Sequence, residues 1–378
     1  MEETLSRECG LKRIKGEGIR GGQVNKANEL LFYTGYTMAV AFKKITGKSR
    51  LMNPLKDHAL DEIPYEIRFD PLTGETGRVF DFPYKADPPD LSETIERSKR
   101  LFCPFCPDTL AKSTPLFPED VIPEGRIRMG EASLIPNLVP FDKYAGVSIF
   151  SPRHYIPMEE LTVENMVDAF TAARTFIQRI AAFDPLVRFF TINWNYMPPA
   201  GSSMVHPHLQ TNCGDVPTNE LRLELEACKD YSEKNGRSYW EDFAKAEKEN
   251  GVRYVGEIDS TFWTMSFVPL GFLPDVSCVF TEESSLDCLN DRTFRSFLQG
   301  LARILRYFRQ QNIFSFNVSI FSVREDDRFR IHARICPRLF PRGIGNNDMA
   351  YLQVMHKEPF TMRPPEAVCP KVREIFWG

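Results

Sequence analysis

Val205-His206-Pro207-His208-Leu209-Gln210-Thr211 sets three polar side chains at every second position of an otherwise apolar run. The spacing predicts a strand over Met204 to Thr211, and a strand turns His206, His208 and Gln210 to one face. Two imidazoles and an amide aimed into one space, directly after the turn Gly201-Ser202-Ser203, supply what nucleophilic attack on a phosphate needs. These are a nitrogen nucleophile, donors for the oxygens and close approach of the backbone. An edge strand with polar outer residues would show the same alternation, so a second feature has to decide.

Cys103-Pro104-Phe105-Cys106 is that feature. A CxxC in a chain without a secretory signal points to a metal or redox role rather than a disulfide framework. The chain has six histidines, and His154, in Ser151-Pro152-Arg153-His154-Tyr155, together with His206 completes a Cys2His2 set. Zinc takes tetrahedral nitrogen and sulfur ligands, so Cys103, Cys106, His154 and His206 would form a closed structural site, one zinc per chain. Such a site would brace the segment carrying His208. A reduced, half-buried thiol pair with a loop-capping histidine is the alternative.

At 378 residues, 42% of them hydrophobic, the chain is long enough for two or three folding units with substantial cores. Lysine and arginine number 47 against 51 acidic residues, a formal charge of -4 with no dense basic cluster. That balance argues against nucleic acid as the partner but leaves room for a nucleotide. No apolar run approaches the roughly 20 residues that span a bilayer, and Met1 to Gly10 has no hydrophobic signal core. Of nine cysteines only the CxxC pair is organised, which fits a reducing compartment, so the expected location is the cytoplasm, without membrane attachment.

Along the chain, a helix is expected from about Gln23 to Lys44, followed by a strand entering a turn at Arg68 to Glu75. A Pro-rich connector runs from Pro83 to Pro89, and a short helix covers about Leu91 to Arg100. From about 125 the pattern reads strand, strand, helix, strand, strand: Arg126 to Leu134, Gly146 to Phe150, Val163 to Phe183, Val187 to Asn195 and Met204 to Thr211. The helix carries Met166, Phe170, Ala173, Ile177 and Ile180 at spacings of three or four, a stripe that packs on a sheet. Thr218 caps a further helix running past Leu225, and a charged helix covers Tyr239 to Asn250.

The same order returns later: Phe262 to Pro269, Val276 to Phe280, a helix with Phe294, Phe297, Leu301, Ile304, Leu305 and Phe308, then Phe314 to Val323 and Phe329 to Cys336. This reads as an internal duplication. Ile331-His332-Ala333-Arg334-Ile335 aligns with Val205-His206-Pro207-His208-Leu209, so the second copy has Arg334 where the first has His208. The organisation expected is an N-terminal extension and connector (1–100), a first unit with metal and nucleophile (101–250) and a second, degenerate unit (251–378). The second unit would serve stability and offer Arg334 or His332 to a phosphate.

Together these residues resemble the galactose-1-phosphate uridylyltransferase branch of the histidine-triad superfamily. That family's CxxC, Asn-x-x-Pro, histidine after a hydrophobic strand, and Asn, Gly, Ser, His-Pro-His-x-Gln run correspond to Cys103 and Cys106, Asn137 to Pro140, His154, then Asn195, Gly201, Ser203, His206, His208 and Gln210. The match covers about residues 100 to 212, loosely the second copy, and not residues 1 to about 64. Asp70-Pro71-Leu72-Thr73-Gly74 is similar to the family's N-terminal Asn-Pro-Leu-Thr-Gly. The resemblance implies an α+β fold of two tandem half-barrel units, antiparallel sheet with packed helices. It also implies zinc on Cys103, Cys106, His154 and His206, covalent nucleotidylation of His208, nucleotide contacts from Asn137 and Asn195, Phe105 near the base, and a homodimer. Capping of turns is the ordinary use of the two asparagines, and a core position that of Phe105.

The chemistry follows from the side chains. A neutral nitrogen of His208 attacks an α-phosphorus in line, and an acceptor resolves the phosphoramidate. Gly201, Ser202, Ser203 and Gln210 would hold the phosphate oxygens. Gln210 donates a hydrogen bond but is no proton-donating acid, unlike the histidine found there in the hydrolases, which favours transfer over hydrolysis. The leading reading is hexose-1-phosphate uridylyl transfer, with a nucleotide donor and a phosphorylated acceptor. Adenylyl transfer from ADP-glucose, a diadenosine polyphosphate or adenylylsulfate to inorganic phosphate is the second, and a zinc-braced nucleotide-binding protein without turnover the third. Three departures from the family's pattern stand out: the first weakens the galactose assignment, the second removes the expectation of a second metal, and the third bears on the hexose itself. Leu209 replaces the family's glycine, so the backbone next to the nucleophile is expected to be less open. Asn317, His332, Arg334 and Glu224 do not repeat its second metal set. Tyr351 to His356 offers glutamine and histidine where the family has an acidic hexose contact.

Overall fold

The structure, a computed structural model, describes residues 40–87, 90–339 and 348–378, all within the unit Met38–Gly378. The chain enters through two long paired strands, β1 (Lys44–Asn53) and β2 (Ala59–Phe69), tied across one face by Lys44–Glu66 and Lys48–Glu62 ion pairs of 2.7 and 2.8 Å. Asp70 Oδ1 accepts the amides of Leu72 and Thr73, which turns the chain into β3 (Thr76–Val79). Helices α1 (Ser92–Arg100) and α2 (Pro107–Ser113) flank the CxxC, and Pro107 starts α2 where no amide donor is needed.

Then follow β4 (Ile127–Met129), β5 (Ala132–Pro136), β6 (Tyr144–Ile149), α3 (Val163–Phe183), β7 (Phe189–Tyr196) and β8 (His208–Gly214). Two helices, α4 (Asn219–Asn235) and α5 (Tyr239–Asn250), lead to β9 (Tyr254–Ile258), β10 (Thr261–Met265), β11 (Val276–Phe280), α6 (Asp291–Gln310), β12 (Ser315–Val323) and β13 (His332–Arg338). The chain ends in α7 (Tyr351–His356), β14 (Phe360–Thr361) and α8 (Pro365–Trp377). β14 joins the first sheet beside β3.

The main sheet has the order β4-β5-β6-β8-β7-β12-β13-β11-β10-β9 and is antiparallel throughout. Its order is a palindrome: three strands, a helix and two strands occur twice, and the halves join through β7 and β12. One face is apolar, carrying Phe190, Ile192, Trp194, Leu209, Val318, Ile320, Ala333 and Ile335, and it packs with the buried sides of α3 and α6 in one core. Each buried valine, leucine, isoleucine or phenylalanine among them contributes about 1.5–3 kcal/mol by leaving water. The opposite face carries half-buried Asn193, Asn195, Gln210, Asn212, Asn317, Ser319 and Arg334 at alternating positions. The α+β architecture of antiparallel sheet and packed helices is the one expected.

Several local readings change. Of the helix expected over Gln23 to Lys44, residues to 39 lie outside the described ones, while 41–43 are irregular and Lys44 opens β1. Arg126 to Leu134 is a hairpin rather than one strand. Gly130 turns with φ +52°, and Asp168 accepts the Glu131 amide at 3.0 Å. Phe262 to Pro269 shortens to β10, and β9 escapes the pattern because Gly256 interrupts it where the Trp377 indole lies. Val163 to Phe183, the Thr218 cap and Tyr239 to Asn250 fall where their periodicity and capping put them.

Candidate active site and metal centre

Pro207 has no N–H to offer a ladder, so β8 starts at His208, and His206 stands in the loop before it. The two histidines therefore do not share a strand face. His206 instead meets the CxxC. Thr109 Oγ1 donates to the carbonyls of Cys103 (2.6 Å) and Cys106 (2.9 Å), clamping that loop onto α2. His206 Nε2–H donates to the Ser151 carbonyl at 2.8 Å, which leaves Nδ1 facing Cys103 Sγ at 3.7 Å and Cys106 Sγ at 3.8 Å. His154 is arranged alike, with Nε2 at 3.0 Å from Ser98 Oγ and Nδ1 at 3.2 Å from Cys106 Sγ.

The four donor atoms lie within 4.8 Å of one another. Bonds of about 2.0–2.3 Å to a tetrahedral ion imply donor separations of about 3.3–3.8 Å; the two His206–sulfur distances, 3.7 and 3.8 Å, fall in that range, and the His154–Cys106 distance of 3.2 Å lies just below it. Burial and the adjacent Cys103 push the Cys106 thiol up to about 11, and burial holds His206 down to about 4. Neutral imidazoles with their outer nitrogens engaged are the form in which histidine binds a metal. Cys103, Cys106, His154 and His206 can hold a metal ion.

The same loop orients His208. Its Nδ1 lies 2.9 Å from the His206 carbonyl, which only accepts, so Nδ1 carries the proton. Burial lowers the pKa of the ring, and the neutral imidazole then has its lone pair on Nε2. Phe105 stands with its ring centroid 5.1 Å from that of His208 and packs with Leu110 on Ile135, Val147 and Ile149. An apolar shelf thus adjoins the His208 ring on one side. On the other lie Gln210 and, opposite it on β7, Asn193, which donates to Thr191 Oγ1 and the Gln210 carbonyl. Asn195 follows two residues along the same face, its Oδ1 2.6 Å from Nδ2 of Asn317 on β12.

The turn before His206 is shaped by Met197 (φ +69°), a short 3-10 turn over Pro198–Ala200, and Gly201 (φ +83°) with open space where a side chain would stand. Ser202 Oγ donates to the Met204 carbonyl at 2.6 Å and so holds the turn itself. Ser203 lines a cavity of about 880 Å³ shared with Arg97, Lys85, Cys103 and His154. Asn137 Oδ1 accepts the Val139 amide at 3.1 Å, the turn-capping use of asparagine.

Leu209 does not close the site. Its side chain is fully buried on the helix side of β8, so the backbone beside His208 is as open as a glycine would leave it. In the second copy, His332 stacks between Trp240 and Phe321 at 4.6 and 5.1 Å, with Glu224 Oε1 at 3.3 Å from Nε2. Arg334 is bound to Asp275 at 2.7 Å and to the Val268 carbonyl. The two side chains thus tie β13 to α4, α5, β12 and the loop before β11. Gln353 accepts the Ala350 amide and donates to the Leu270 carbonyl, a helix cap. Asn317 is the contact to the site that sequence reading missed as such, since it comes from a strand 122 positions away from Asn195. None of the described helices is long and apolar enough to cross a membrane.

No protein-family model matches the chain. An uncharacterized protein of Archaeoglobus fulgidus is 34% identical over 321 residues, 84% of this chain and 94% of that one. Among solved structures, an ADP-glucose phosphorylase from Arabidopsis thaliana with bound ADP-glucose matches 82% of this chain and 99% of its own, at 19% identity and TM-score 0.61. A GalT-like protein of Arabidopsis thaliana matches 82% and 98% at 20% identity and TM-score 0.62. A uridylyltransferase matches 82% and 98% at 18% identity and TM-score 0.59. The chain belongs to one family with the Archaeoglobus fulgidus protein, and its fold is the one seen in the ADP-glucose phosphorylase, the GalT-like protein and the uridylyltransferase.

Proposed function

We propose that the protein is a nucleotidyltransferase that carries a nucleoside monophosphate on His208. The observation that carries this reading is the His208 ring itself: Nδ1–H tied to the His206 carbonyl, and Nε2 unprotonated on a polar sheet face between an apolar shelf and a set of amides. Nε2 attacks the α-phosphorus of a bound nucleotide. A P–N bond forms as the bond to the leaving group breaks, and the imidazolium so made keeps its Nδ1–H on the carbonyl. An oxygen of the acceptor then attacks the same phosphorus, the P–N bond breaks, and neutral His208 returns. Ser203, the Gly201–Ser203 backbone, Gln210 and Asn195 would hold the phosphate oxygens, Asn137 the nucleotide, and Phe105 would lie against the base. Gln210 supplies no acid for hydrolysis, which favours a phosphorylated acceptor over water.

Zinc suits the Cys2His2 quartet, one ion per chain, and when bound would brace the loop that carries both His206 and the carbonyl holding His208. Uridylyl transfer between a UDP-sugar and a hexose 1-phosphate is our first reading. The second, adenylyl transfer to phosphate, is favoured by the likeness to ADP-glucose phosphorylase. We take the protein to be cytoplasmic and homodimeric, the edges β4 and β9 offering a route to association.

The test is intact mass after incubation with UDP-glucose, ADP-glucose or adenylylsulfate, quenched in alkali because the P–N bond is acid-labile. A UMP-sized gain supports the first reading and an AMP-sized gain the second. Loss of the adduct in His208→Ala with metal retained supports the nucleophile, and no adduct with any donor leaves nucleotide binding without turnover. Labelling that survives His208→Ala overturns the mechanism.

A further inference from the structure

The second unit reaches into the nucleophile's site through one side chain. Asn317 on β12 pairs with Asn195 on β7, and its Nδ2 donates to Asn195 Oδ1 at 2.6 Å and to the Ala200 carbonyl at 2.9 Å. Its Oδ1 accepts from Arg338 Nη1 at 2.7 Å. Arg338 is fixed in turn by Asp348, whose side chain is 1% exposed and accepts from Nε at 2.8 Å and Nη2 at 2.6 Å.

This chain of contacts has a direction that chemistry alone dictates. A guanidinium only donates and a carbonyl only accepts. The Asn317 atom facing Arg338 must therefore be its oxygen, and the atom facing Ala200 its nitrogen. The same nitrogen meets Asn195, so Asn195 must turn its oxygen toward Asn317. Its remaining group, Nδ2 with two hydrogens, then points away from Asn317, and no hydrogen bond among the described residues engages it. β7 and β8 pair as Asn193 with Gln210 and Trp194 with Leu209. Carried one pair further, that register sets Asn195 opposite His208, with Cβ atoms about 5 Å apart.

We infer that Asn317 is a positioning residue: it locks the Asn195 amide so that Nδ2 faces the nucleotide bound at His208. Left alone, an asparagine amide beside a nucleophile presents either end, and the wrong end places an oxygen against phosphate or ribose oxygens. Arg338 and Asp348 remove that choice before any ligand arrives, which is the preorganisation that makes a donor effective in a transition state. The second unit, which lacks a nucleophile of its own, thereby sets the polarity of the first unit's site. The inference rests on the nucleotide reading of that site.

Two substitutions separate this role from simple packing. Asn317→Asp keeps an acceptor for Arg338 but has no donor for Asn195, so the Asn195 amide turns over and presents Oδ1 to the ligand. Asn317→Ala removes all three contacts and leaves the Asn195 amide free to choose. Positioning predicts that Asp is the worse variant, with labelling of His208 slowed about 100-fold, the cost of losing one oriented donor, and Ala slowed less. A merely structural role predicts losses that follow the fall in melting temperature of each variant and that persist in an Asn195→Ala background, because both variants also give up the bond to the Ala200 carbonyl. In an Asn195→Ala background, Asn317→Asp should have no further effect.

The same ranking is expected in the equilibrium affinities for UMP and AMP, which require no transfer. Equal rates and affinities for the two variants and wild type, Ala worse than Asp, or an undiminished Asp effect in the Asn195→Ala background would each overturn the inference while wild-type labelling keeps the transferase reading. A wild-type chain that neither labels nor binds a nucleotide removes that reading and this role with it.

Discussion

Leu209 provides a sharp test of how the site is built, because its sequence position beside His208 and its place in the fold make opposite predictions. Leu209→Gly restores the residue usual in uridylyltransferases. If Leu209 narrowed the site, the change would speed transfer to hexose phosphates. The side chain is instead fully buried between Ser148 and Trp194 on neighbouring strands, in the core shared with α3. Truncating a buried leucine to alanine costs about 2.7–5 kcal/mol, and a glycine within a strand adds roughly 0.5–1 kcal/mol. The expected loss is about 4–5 kcal/mol, a large part of the total stability of a globular protein. With an unfolding entropy of roughly 0.8 kcal/mol per kelvin for a chain of this length, Tm should fall by about 6 °C. Thermal melts and urea titrations measure the loss, and the rate of His208 labelling at a temperature where both proteins are folded measures the site. A Tm within about 1 °C of wild type, or a labelling rate that rises, would refute the assignment of Leu209 to the core.

Other outcomes follow from the same geometry. Purified protein should contain one zinc per chain by elemental analysis, and Cys106→Ser should lower that content and slow His208 labelling together; metal-free protein that labels at full rate would contradict the bracing role. Gln210→His places an imidazole able to shuttle protons beside the phosphate, so the His208 adduct should decay in water about tenfold faster or more when no acceptor is present. A mass-spectrometric time course with an unchanged half-life would dissociate Gln210 from the choice between transfer and hydrolysis. Glu247 is fully buried beside Arg253 at 3.1 Å, and burial raises its carboxyl from 4.5 to about 7. The folded state therefore holds this proton more tightly than the unfolded chain. The resulting stability is fully present below about pH 4.5 and is lost as pH rises through about 7, by about 3 kcal/mol. Urea titrations of wild type and Glu247→Gln across this window should show the decline flattened in the variant, and parallel curves would refute it.

What the sequence by itself determined is what local spacing controls. The i, i+3/i+4 stripe of α3 reports burial of one helix face, and the repeat of strand, helix and strand patterns reports two related units that the sheet order then mirrors. The CxxC confines two sulfurs to one loop, so only the choice of histidines was left, and the structure brings His154 and His206 to them. The tertiary structure decided which way each polar group faces. Alternation placed His206 with His208, but a proline without an N–H ended the ladder between them and gave His206 to the Cys2His2 quartet. Leu209 looked like an obstruction from its neighbours in sequence and lies in the core. His332 and Arg334 looked available for phosphate, and Trp240, Glu224 and Asp275 from distant elements occupy them. Asn195 is oriented by Asn317, 122 residues on, because β7 and β12 pair. A strand's pattern states which residues share a face; what stands opposite that face depends on register with strands far away in the chain, and only the folded sheet sets that register.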